Sequence, residues 1–221
     1  PSISKKAVET EKNVVVQEIR MLENNPEEYI HILFLNGLWG NHPMGRSEGG
    51  TVEAVTSFTA SDLREFYSHH YRPPHFVVVA CGNVSVPQIE EWASQQFDPL
   101  ERNDSWGARQ PPSPRAGTMV FPREDAQAYI GMGFPGMSTN DPDKYAQRLL
   151  SSILGTGTSS RLFQTIREKE GLAYSIYSVS HSYTDCGAFA SFFSTSVDNA
   201  EKVIRLVAQE LKNLKENGLE K

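Results

Sequence analysis

Apolar and polar positions alternate with two different periods along this chain. The first part reads mainly as helix, and the second as strands and helices in turn. Over residues 7–24, Ala7, Val8, Val14, Val15, Ile19 and Leu22 recur at helical spacing and predict a helix. Pro26 suits the first turn of a second helix, predicted to run to about Asn36, and Gly37 to Gly50 reads as a loop. Thr59-Ala-Ser-Asp62 has the form of a capping box, so a third helix begins at Thr59 and ends near His70, before the Pro73-Pro74 breaker. His75 to Cys81 then reads as a strand: Phe76-Val-Val-Val-Ala80 is apolar on both faces, as a strand inside a covered sheet would be. Gly82-Asn83 ends it, and a helix over about Pro87 to Gln96 follows.

Asp98 to Gly117 is rich in Pro, Arg, Asn and Ser and lacks apolar periodicity, which makes it a linker between residues 1–97 and 118–221. Beyond it the pattern predicts strands at Thr118 to Pro122 and Ala126 to Phe134, then helices at Pro142 to Leu154 and Ser160 to Lys169. Strands at Leu172 to Ser180 and Gly187 to Ser194 follow, and a helix at Asn199 to Glu216 closes the series. Hairpin-linked strands beside paired helices give an α+β class with a largely antiparallel sheet flanked by helices. The Gly-Thr-Gly-Thr-Ser-Ser run within Leu154 to Ser160 is a tight loop. It does not follow a strand and lacks the lysine of a phosphate-cradling loop.

Composition narrows the function. With 221 residues, 38% of them hydrophobic, the chain can bury a core. A formal charge of -6 with scattered Lys and Arg argues against nucleic acid or an anionic membrane as a partner, because both need a clustered basic face. No apolar run approaches the length that spans a bilayer, no targeting signal is visible, and the compartment stays open. Cys81 and Cys186 are too far apart for a disulfide framework or a four-Cys zinc site, and both read as small apolar strand residues.

Glu11 and Glu18 are seven residues apart, hence on one helix face two turns apart, beside Val14, Val15 and Leu22. By themselves they read either as a solvated charged face or as a pair with a metal or basic group opposite. Two longer segments lie around and after them: Glu11-Lys-Asn-Val-Val-Val-Gln-Glu18-Ile, and His42-Pro-Met-Gly-Arg-Ser-Glu-Gly-Gly-Thr51. In this order they resemble the pitrilysin/insulinase family of zinc metallopeptidases. Thr59 to Pro73 followed by Phe76 to Asn83 fits the same pattern. So does Ser159-Ser-Arg-Leu-Phe-Gln-Thr-Ile-Arg167-Glu-Lys-Glu-Gly171-Leu-Ala-Tyr174, which resembles that family's Arg/Tyr segment and is the most specific match.

The resemblance implies a fold of the metallopeptidase LuxS/mitochondrial-processing-peptidase type. In the family, an H-x-x-E-H helix gives two histidine ligands and the general base, and a later glutamate is the third zinc ligand. Glu18 is the matching position, and Glu11 corresponds to an accessory acidic residue that tunes the site without touching zinc. Arg167 would stand in the last turn of a helix closed by Gly171, and Tyr174 at the start of the next strand, so the two can converge. There the guanidinium would hold peptide carbonyls of the substrate and the phenol would donate to the oxyanion.

The six histidines depart from the pattern, for none stands in H-x-x-E-H or H-E-x-x-H. His69, His70 and His75 straddle a helix end and a Pro-Pro turn and read as surface residues; His42 reads as ordering its loop, and His181 as a turn residue after a strand. The expectation is therefore an internal piece of a zinc endopeptidase acting on peptides or unfolded segments. Residues 1–97 would be the second half of one peptidase-like domain and 118–221 the first half of the next, with no activity and no tight zinc in the piece alone. A first helix that begins almost at Pro1, without the strands that precede it in the family, fits that expectation. A non-catalytic scaffold or partner subunit of the same family is the alternative. The strand at His75 to Cys81 should join the sheet of the later strands, within one chain or swapped between two copies as a homodimer.

Overall fold

The helix near the start forms where its apolar spacing places it. In the computed structural model, which describes residues 3–100 and 109–219, α1 runs Lys5–Glu23 and buries Val8 and Ile19. Asn25 caps α2 (Pro26–Trp39) by accepting from the Glu27 N–H, with Pro26 in the first turn. A short α3 (Val52–Ser57), capped by Thr51, lies in a stretch where too few apolar residues recur to announce it. The Thr59/Asp62 capping box opens α4 (Ala60–His70) as read. Helix α5 (Val86–Phe97) follows. The predicted linker is irregular where described, and its residues 101–108 lie outside the described ones.

The chain forms two compact units. One comprises Pro1–Glu18 and Thr51–Gln110, the other Ile19–Gly50 and Pro111–Lys221. The first is helical, with Val8, Val55 and Ala60 as its buried apolar residues among those described.

The second unit is built on a three-stranded antiparallel sheet in the order β1-β3-β2, from β1 (Gln127–Pro135), β2 (Ser175–Ser182) and β3 (Gly187–Ser196). The central strand is buried from Gly187 to Thr195, so it must be covered on both faces. Period-two alternation sorts its side chains. Phe189 and Phe193 join Leu154 of α6 (Lys144–Gly155), Leu162, Ile166, and Val203 and Val207 of α7 (Ala200–Asn217) in the main core. Ala188 and Phe192 face α2, with Leu38 and Trp39 against Ala188 and the Phe34 ring edge-on to Phe192 at 5.5 Å. Gly131 and Gly133 of β1 leave room for this layer. A Cβ at Gly131 would lie 2.8 Å from the Phe192 ring, and one at Gly133 would lie 2.7 Å from the Phe34 ring. The α+β class with an antiparallel sheet flanked by helices is thus the observed one.

A half-buried histidine joins α2 to this face. The Nε2 of His31 is 2.8 Å from the Tyr177 hydroxyl, and its ring packs on Phe192 at 4.0 Å between centroids. Burial is the main reason His31 titrates below its usual range; the field of His181 acts the same way, against Glu28 and Glu27 on its own helix. The folded state therefore binds fewer protons here than the unfolded chain. Stability from this contact is complete above the ordinary histidine pKa of about 6.5 and is lost as pH falls below it towards the lowered folded value. Urea unfolding at pH 7.5 and 5.5 should give a lower midpoint at the acidic pH, and His31→Gln should flatten that difference. An unchanged pH dependence in the variant would remove His31 from this role.

Several expectations are corrected here. Residues 76–81 are extended but pair with no strand among the described residues, leaving Val77 88% and Val79 85% exposed. The predicted strand Thr118 to Pro122 is likewise unpaired, with Val120 80% exposed. The segment at 76–81 therefore does not join the sheet of its own chain. Apolar character on both faces shows what a segment needs, and these two lack their neighbours among the described residues. Neither cysteine is on a strand: Cys81 is exposed, and Cys186 lies in the turn between β2 and β3. Burial, with help from Asp185, pushes the Cys186 thiol up to about 11, which keeps it in the neutral thiol form near neutral pH. His181 is inside β2 rather than in a turn after it. His42 does order its loop, its Nδ1 accepting from the Met44 N–H at 3.2 Å.

Candidate active site

The segment carrying Arg167 is fixed by its inward neighbours. Leu162 and Ile166 are fully buried in the main core, and the half-buried Arg161 bridges to Glu210 of α7 at 2.9 Å. Gln164 donates to the Thr158 carbonyl at 2.7 Å. From Phe163 to Lys169 the helix takes the wide π form, which is rare and recurs at functional sites. Gly171, at a φ of +63° that suits glycine, closes the helix: its N–H donates to the Arg167 carbonyl, and the Leu172 N–H to that of Ile166. The chain then turns at once to the sheet. Thr195 Oγ1 donates to the Leu172 carbonyl at 2.6 Å, and the Tyr174 N–H donates to the Ser194 carbonyl at 3.2 Å.

This backbone path brings Arg167 and Tyr174 together. The guanidinium carbon lies 5.7 Å from the centre of the Tyr174 ring and 4.7 Å from that of Phe163. Tyr174 is pinned by its backbone, yet its side chain is 77% exposed. Both residues border an open pocket of about 440 Å³ whose wall includes Gln127, Leu172, Thr195 and Asn199. Arg167 forms no salt bridge among the described residues, and it borders the pocket. A cation and a phenol on one concave surface can hold a carbonyl and stabilise an oxyanion.

Glu11 and Glu18 lie on α1, and both are exposed. Among the described residues neither carboxylate has a hydrogen bond or ion pair; Lys12, beside Glu11, bridges to Glu9 instead. No group of three His, Cys, Asp or Glu that could hold a metal occurs among the described residues. Glu18 is a suitable oxygen donor, but these residues do not make a zinc site by themselves. Glu18 belongs to the first unit, and Arg167 and Tyr174 to the second. Phe163 was legible only as part of the motif. The signal that singles it out is its place four residues before Arg167 on a helix.

Comparison with known proteins identifies the family. The family described as Peptidase M16 inactive domain matches residues 57–221. The chain belongs to the M16 peptidase family. It is 35% identical to an uncharacterized zinc protease of Streptomyces coelicolor, over 98% of this chain and 49% of that one. A second uncharacterized zinc protease, from Bacillus subtilis, is 32% identical over 95% of this chain and 51% of its own length. The chain thus spans about half the length of these M16 relatives. Among solved structures, an M16 inactive domain from Pseudomonas fluorescens superposes with a TM-score of 0.86 at 25% identity, covering 100% of this chain and 54% of the other. A protease from Helicobacter pylori, at 22% identity and a TM-score of 0.83 over 99% of this chain and 55% of its own, shares the fold. The M16 assignment is the pitrilysin/insulinase resemblance read from the motifs.

Proposed function

We propose that the full-length protein is a zinc-dependent endopeptidase acting on peptides or unfolded segments, and that this chain supplies its substrate clamp and one zinc ligand. The observation that carries the reading is the convergence of Arg167 and Tyr174 on one exposed pocket. Arg167 holds a substrate carbonyl through charge-assisted hydrogen bonds, and Tyr174 donates its phenolic proton to the oxyanion that develops when the peptide bond is attacked. Glu18 would hold zinc together with two histidines from an H-x-x-E-H helix elsewhere in the full-length protein, and Glu11 would tune the field there without touching the metal. Bound zinc would polarise the scissile carbonyl and make its water more acidic.

Supporting this reading are the names of the relatives, which call them uncharacterized zinc proteases, and the absence of an ion pair at Arg167 among the described residues. A second reading, a non-catalytic subunit, draws on the lack of a three-residue metal group among the described residues. One experiment separates them. Full-length protein should cleave an unstructured peptide, lose that activity to a chelator and regain it with zinc. Arg167→Met should lower kcat/KM by about ten- to a hundredfold, the worth of a charge-assisted hydrogen bond. Full-length protein that binds no zinc and cleaves nothing would leave the subunit reading.

A further inference from the structure

The Arg167 guanidinium ends a long, flexible side chain at an exposed position and has no carboxylate partner among the described residues. Holding such a group in one place costs about 2 kcal/mol of rotamer freedom, so a group that is to meet substrate ready-placed needs a contact other than an ion pair. Two rings flank it. Tyr174, at 5.7 Å, is largely exposed and is the ring whose hydroxyl is needed elsewhere. Phe163 is nearer, at 4.7 Å, half-buried, and rooted in the helical segment beside the fully buried Leu162.

We infer that Phe163 is the positioning residue of this site: its half-buried ring, one helical turn before Arg167, holds the guanidinium over the pocket. The inference rests on the reading of Arg167 as the substrate clamp. Phenylalanine suits this task chemically. A carboxylate at position 163 would also hold the guanidinium, but by taking its N–H donors and neutralising its charge. An aromatic face attracts the cation through the ring quadrupole and takes none of the five donors in the guanidinium plane. The donors stay available for a peptide carbonyl, and the side chain is ordered before substrate arrives. The alignment is the observed one, with the guanidinium carbon 4.7 Å from the ring centre, and the buried neighbours supply the stiffness. Phe163 has no polar atom and takes no part in bond making, so its effect must pass through Arg167.

Two measurements test this. In the 221-residue chain, the Arg167 guanidinium protons should be displaced by ring currents in the NMR spectrum. Phe163→Leu should abolish most of that displacement, and Phe163→Tyr should keep it. In the full-length protein, Phe163→Leu should raise KM about two- to fivefold with kcat within about twofold, the scale of one exposed cation–π contact, and Phe163→Tyr should restore KM. In an Arg167→Met background, Phe163→Leu should have no further effect on KM. An Arg167 signal unmoved by Phe163→Leu would overturn the inference, and so would an equal loss in the Arg167→Met background, which would mean that the ring meets substrate itself. Failure of the underlying reading shows in a different variant. Arg167→Met with wild-type kinetics overturns the clamp, and the role of Phe163 with it.

Discussion

Replacing Tyr174 with Phe in the full-length protein is expected to lower kcat by about two to three orders of magnitude while zinc content stays unchanged, the scale of losing one oxyanion donor. The substitution removes only a hydroxyl. That hydroxyl belongs to a side chain that is 77% exposed and is held in place by its backbone bond to Ser194, so fold and stability should hardly respond. The ring stays in place beside Arg167, so the cation keeps both its aromatic neighbours. KM should therefore move little. Steady-state kinetics with zinc analysis checks this: turnover equal to wild type would remove Tyr174 from oxyanion stabilisation, and a large rise in KM alone would move it to ground-state binding.

Glu18→Gln should fail in the opposite manner. The side chain keeps its size and its place on α1, where it is exposed, so the helix should be unaffected. A neutral amide is a far poorer zinc ligand than a carboxylate, and mutation even of groups behind the ligands typically weakens metal binding about ten- to a hundredfold. Dialysed full-length Glu18→Gln is expected to retain well under one equivalent of zinc and to have lost most of its activity, with partial recovery in excess zinc. Glu11→Gln should keep its zinc, because that residue acts only through its charge. Stoichiometric zinc in the Glu18 variant would take Glu18 out of the metal site.

How much of this was legible in the sequence differs between the two units. In the second, β1, β3 and α7 fall within a residue or two of their expected limits, because the core on both sheet faces imposes a strict period on Phe189, Phe192 and Phe193 and on Val203 and Val207. Strand β2 starts three residues later than read, since Leu172 to Tyr174 are spent leaving the helix. The Arg167 and Tyr174 positions were readable through the family resemblance of their segment, and their convergence because a helix stop at Gly171 and a strand start leave the backbone one short path between them. The π form of Phe163–Lys169 was not readable, since residues spaced to suit an α-helix suit it as well. In the first unit the segment at 76–81 carries a strand's composition without a strand's hydrogen bonds. Pairing depends on a neighbour, and composition records only the preference for one. The His31–Tyr177 contact was also out of reach, because it spans 146 positions.

Those unpaired segments also govern how the chain must be handled at the bench. Val77, Val79 and Val120 stand in extended backbone whose edges pair with no strand among the described residues, the form from which chains template one another into aggregates. The 221-residue chain is expected to associate increasingly as its concentration rises, which sedimentation velocity over a concentration series checks. Lysine at positions 77 and 79 would act as a gatekeeper there, adding charge to a surface that water already reaches and leaving the Arg167 pocket untouched.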